Sequence, residues 1–176
     1  MGKQTAIKVI SAWALYVFMH FTFKLFPSPF TAFLGRTEET IYTHMKMAFF
    51  SYLIINVIFY AAGRFRKQGQ SVYAGMLANC IYPYLAFFIW MIVPALFGQI
   101  YVPAAEVIYS NLILALCLYM TVSMENNFSR LSWSNSGKAV IIFFFVTSCV
   151  LYTAMTLNKP AIELFEYHSH GSENTR

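Results

Sequence analysis

Apolar residues along this chain fall into five long blocks separated by short polar stretches. Each block approaches the roughly 20 residues that a helix needs to cross the hydrocarbon core of a bilayer. The pattern predicts an all-α integral membrane bundle over residues 1–157 and a polar C-terminal tail over 158–176. The spans are expected at about 7–26, 44–62, 72–97, 104–122 and 138–157. Pro27 and Pro29 close the first block, because proline lacks an amide proton and restricts the residue before it. Residues 28–36 read as a loop, and Thr37 as the N-cap of a second helix that begins near Glu38. Glu38 and Glu39 would then sit in its first turn, where negative charge complements the free amide groups. Residues 63–69 form a polar turn, 98–103 a short loop and 124–137 a polar connection. Pro83 and Pro94 lie inside the third block, where a membrane helix tolerates them. They leave open an alternative of four spans plus a re-entrant segment.

Composition strengthens the membrane reading. Hydrophobic residues make up 59% of the 176 positions and charged residues only 11%, against about 25% charged in a soluble domain. The net charge of +5 comes from scattered Lys and Arg between apolar blocks. These are orientation signals, and no basic run is long enough to track nucleic-acid phosphates. Cys80, Cys117 and Cys149 lie inside apolar blocks without CxxC spacing and read as small buried hydrophobes. The first block has no small-x-small cleavage site and reads as a retained span.

Five spans place the termini on opposite sides. Lys3, Lys8, Arg64, Arg66, Lys67, Arg130 and Lys138 share one side with a single acid, Glu125. Lys24, Arg36, Lys46, Lys159 and Arg176 lie on the other. The positive-inside rule then puts the N-terminus in the cytoplasm and the C-terminus outside a cell (inner) membrane. His20, His44, His168, His170 and six of the seven acids gather on the outer side.

That gathering defines a candidate polar cluster of His20, Glu39, His44 and Lys46. Lys24, Glu38, Tyr42, Glu106, His168 and His170 are weaker members. Glu38, Tyr42 and Lys46 form one helical stripe at four-residue spacing, and a short loop lets His20 face His44. Imidazole and carboxylate there could bind a divalent metal, shuttle protons or hold an anionic head group. Caps, snorkelling lysines and solvated tail histidines would account for the same residues without a site. The spacings match no metal-ligand motif, so neither metal nor cofactor is expected. Tyr42, Tyr60, Trp133 and Tyr152 read as interfacial anchors. Asn56, Asn79 and Asn111 read as interhelical hydrogen-bonding groups.

The segment Glu39-Thr40-Ile41-Tyr42-Thr43-His44-Met45-Lys46 resembles the signature of a family of small prokaryotic polytopic membrane proteins of unknown function. That signature reads Asn-Glu-Ser-x-Trp-Glu-His-x-Lys. Glu39, His44 and Lys46 match it, with Thr40 for Ser and Tyr42 for Trp. His20-Phe21-Thr22-Phe23 resembles the end of the family's first span, and Lys159-Pro160, Leu164-Phe165 and Gly171 resemble its tail. Glu38 stands for Asn, Thr43 for Glu and Ser51 for Pro, so a site needing the second carboxylate would be missing. The resemblance implies a polytopic fold and no particular activity.

No catalytic motif is present. The chain reads as a binding, channel-like or accessory membrane component in contact with the lipid bilayer, as a homo-oligomer or beside another membrane protein, and not with nucleic acid. An intramembrane or interfacial enzyme using the outer His/Glu/Lys cluster and a small transporter are the alternatives. The absence of an inverted repeat weighs against transport.

Overall fold

A computed structural model describes residues 2–38, 40–63, 71–98, 100 and 102–158. Six helices and no strand appear among them: α1 (Lys3–Leu25), α2 (Pro29–Leu34), α3 (Ile41–Ala61), α4 (Val72–Phe97), α5 (Pro103–Phe128) and α6 (Asn135–Leu157). Five of these, all but α2, are long and apolar enough to cross a membrane. At 1.5 Å per residue their 21–26 residues span about 32–39 Å, enough for a hydrocarbon core of about 30 Å.

Four helices close a ring. α1 packs on α3 and α5, and α4 packs on the same two helices from the opposite side. α6 lies outside the ring against α4, and its Phe145 and Tyr152 rings reach Phe49 of α3. Two apolar clusters fill the interior. One joins Ala12, Tyr52, Ala78, Tyr82, Leu118 and Val122 from all four ring helices. The other gathers Met19, Tyr42, Phe49, Phe50 and Tyr152. Large apolar side chains also cover the outside, among them Ile10, Phe18, Phe88, Leu112 and Phe143. Such a surface suits hydrocarbon, since a water-soluble monomer rarely exposes so much apolar area. Fold and surface together define an all-α, multi-pass membrane protein.

Several local expectations change. Residues 28–36 are not all loop. Ser28 accepts a hydrogen bond from the Thr31 amide at 3.2 Å and the Thr31 hydroxyl accepts from the Ser28 amide at 2.9 Å. This capping box and Pro29 at the first helical position start α2, so the proline that stops α1 begins the next helix. α3 is capped by Thr40 and not Thr37: the Thr40 hydroxyl accepts from the Thr43 amide at 3.2 Å. Thr37 and Glu38 therefore precede the helix. α5 runs on to Phe128, beyond the expected end at 122, because Glu125 turns into the bundle. Tyr42 and Tyr152 are core residues and not interfacial anchors; the Tyr42 hydroxyl donates to the Tyr152 carbonyl at 2.6 Å.

Candidate functional site

The end of the bundle where α1 finishes and α3 begins carries most of the sequence-predicted residues. The His20 and His44 rings stack with centroids 5.5 Å apart. The His44 Nδ1 shares a hydrogen bond of 2.9 Å with the Tyr16 hydroxyl one turn below His20. Arg36 and Glu106 are charges whose fields reach His44. Gly35 lets the α2–α3 connection lie flat on α1: a Cβ there would sit 2.8 Å from the Met19 carbonyl oxygen.

Lys46 is one face-turn away from this pair. It is buried and directs its ammonium toward the Ala32 carbonyl, 3.3 Å away. With Glu38, Tyr42 and Thr43 it lines a cavity of about 250 Å³, whose apolar wall includes Phe33 and Leu157. The stripe of Glu38, Tyr42 and Lys46 thus shares one cavity, while the histidines pair on the side facing α1. Lys24 is exposed near the end of α1, and Glu106 is exposed in the first turn of α5. Glu39, His168 and His170 lie outside the described residues. No group of three His, Cys, Asp or Glu among the described residues is placed to hold a metal ion.

The other end of the ring holds a centre that the sequence reading treats only as orientation charges. Lys8 of α1 donates to both carboxylate oxygens of Glu125 on α5, at 2.6 and 2.7 Å. Their side chains are 2% and 0% exposed. Tyr52 of α3 donates its hydroxyl to Glu125 Oε2 at 2.5 Å, and the Lys8 ammonium lies 5.1 Å from the centre of the Tyr52 ring. Gly75 of α4 completes the enclosure: a Cβ there would lie 3.9 Å from Glu125 Oε1. Its carbonyl accepts from the Asn56 amide at 3.4 Å.

Between the two ends the ring stays polar. Asn79, Tyr82 and Thr121 are fully buried. Neither the Asn79 amide nor the Tyr82 and Thr121 hydroxyls have a hydrogen-bond partner among the described residues. Asn56 and Asn111 bond across helices as expected, the latter accepting from Trp13 at 3.2 Å; Asn79 does not.

An ion pair enclosed inside a membrane bundle is costly, and apolar residues could fill the same space without loss of stability, which makes this pair a candidate site. Lys8 and Glu125 are 117 positions apart, so no local spacing could link them. The available signal was weaker: a lone acid, Glu125, on the lysine-rich side of the topology. Comparison with known proteins adds no relative: no family model, no curated protein and no solved structure matches the chain.

Proposed function

We propose that this protein is a binding or channel-like component of a cell's inner membrane, with the polar interior of its four-helix ring as the working part. The observation that carries the reading is the Lys8–Glu125 pair, enclosed by all four ring helices and hydrogen-bonded to Tyr52. Its burial requires both charges to be satisfied inside the bundle. The likeness of His20-Phe21-Thr22-Phe23 and residues 39–46 to one family supports treating the histidine end as part of the same apparatus.

The N-terminus is placed in the cytoplasm and the C-terminus outside. Lys3 and Lys8 and the concentrated basic turn at 64–67 support this assignment. A reporter fused after Arg176 should be exported, and one inserted within 64–68 should stay cytoplasmic. Both reporters on one side would end the five-span orientation. For conduction, the purified chain in planar bilayers should pass current with H⁺, K⁺, Na⁺ or Cl⁻ as the permeant ion. Silence in all four removes the channel-like reading.

A further inference from the structure

We propose that the interior of the ring is a proton-transfer path running from Glu125 and Tyr52 at one end, past Tyr82, to Tyr16, His44 and His20 at the other. It rests on the channel-like reading and names the ion.

The first link is the hydrogen bond from the Tyr52 hydroxyl to Glu125. The Tyr52 and Tyr82 rings follow, with centroids 5.6 Å apart. Tyr16 packs against the cluster that holds Tyr52 and Tyr82, Tyr16 is hydrogen-bonded to His44, and His44 stacks on His20. Every member carries a group that can accept and release a proton. The sequence positions agree with one column. Lys8 and His20 are twelve residues apart on α1, about 18 Å along the axis, and His44 and Tyr52 are eight apart on α3, about 12 Å. The column thus covers more than half of the roughly 30 Å apolar thickness.

The polar side chains beside the middle stretch point the same way. Asn79 and Thr121 flank it with buried groups that have no partner among the described residues. Each offers a donor or acceptor to a bridging water. Thr121 precedes Glu125 by one turn of α5, and Asn79 follows Gly75 by one turn of α4, so both face the pair. At the near mouth, Asn126 donates to the Thr5 hydroxyl at 3.4 Å, one turn beyond Lys8.

The chemistry selects protons over metal cations. The Lys8 ammonium repels a second cation at Glu125, and the Tyr52 and Tyr82 rings are packed into the apolar cluster of the ring. A proton needs only hydrogen-bonded neighbours. At the histidine end, protonated His44 gives the Nδ1 proton to the Tyr16 oxygen as Tyr16 releases its own hydroxyl proton inward. Through water and Tyr82 a proton reaches the Tyr52 oxygen while the Tyr52 proton moves to Glu125 Oε2. Glu125 then releases it toward the mouth at Thr5 and Asn126. Each O–H or N–H bond formed balances one broken, one proton is carried and no electron changes hands. Lys8, hydrogen-bonded to both carboxylate oxygens, holds Glu125 in place between transfers.

The test uses the full chain in phosphatidylcholine–phosphatidylglycerol vesicles with trapped pyranine, driven by a potassium gradient and valinomycin. Wild-type vesicles should change internal pH faster than protein-free vesicles by at least about tenfold, and Tyr82→Phe should remove most of that difference. Tyr82→Phe keeps the ring packing and deletes a hydroxyl with no partner among the described residues, so the variant should fold. Glu125→Gln should give the same loss, and Ser136→Ala, on the exposed start of α6, should match wild type. Wild-type flux equal to that of empty vesicles overturns the path, as does a folded Tyr82→Phe with wild-type flux. If K⁺ or Cl⁻ current persists in planar bilayers while proton flux is absent, the path fails and the channel-like reading stands.

Discussion

Replacing Lys8 by Met leaves the Glu125 carboxylate enclosed, with the Tyr52 hydroxyl as its remaining side-chain partner among the described residues. Both partners of the pair are essentially unexposed, at 2% and 0%, so water does not compensate for the loss. Breaking such a pair from one side costs about 3–5 kcal/mol. Removing both charges is different. Lys8→Met with Glu125→Leu eliminates the uncompensated ion but leaves the Tyr52 hydroxyl without its acceptor, worth about 1–3 kcal/mol. Adding Tyr52→Phe removes that last unsatisfied group. The triple variant should then return to within about 1 kcal/mol of wild type or exceed it. Unfolding in dodecyl maltoside titrated with sodium dodecyl sulfate, followed by helicity, would give all four stabilities. The reasoning fails if Lys8→Met alone is as stable as wild type. It also fails if the triple variant is no better than the single, because the damage would then lie in packing and not in stranded charge.

Two other substitutions test the far end. Gly35→Ala would put a methyl group 2.8 Å from the carbonyl oxygens of Met19 and Thr31; backbone cannot swing aside as a side chain does, so we expect a loss of about 1–3 kcal/mol in the same titration. Thr40→Ala should cost about 1 kcal/mol by removing the cap of α3, while Thr37→Ala should cost almost nothing. The reverse order would move the helix start back to Glu38.

Hydropathy alone carried the five spans, because a helix in lipid must be apolar over most of its length and that requirement shows in one dimension. The ring could not be read the same way. Its members are chosen by which faces meet, and every long helix here is apolar nearly all round. Local signals can mislead: the sequence points to Thr37 as the cap of α3, and the hydroxyl-to-amide geometry at Thr43 gives that place to Thr40. Pro29 looked like a terminator and is also an initiator, since a first-turn proline loses no hydrogen bond. The stacking of His20 on His44 followed from a short connection between antiparallel neighbours. The Lys8–Glu125 centre did not follow from anything local, because a charge close to a span boundary carries the same sequence pattern whether it faces water or a partner.

The separation of that pair along the chain has a consequence in time. Lys8 belongs to α1 and Glu125 to the end of α5, 117 residues later. At synthesis rates of about 5–20 residues per second, the carboxylate follows the ammonium by about 6–23 s. Through that interval the first helix lies in the membrane with its lysine uncompensated. Lys8 is only five residues past the start of α1, close enough for its flexible stem to reach the aqueous boundary and wait there. Arrival of α5 draws the ammonium inward and closes the ring. α6, made last and lying outside the ring, docks on a wall that is already complete. Deleting Glu125 would therefore leave the first helix in its waiting position, with Lys8 open to water-soluble amine reagents in an otherwise inserted chain.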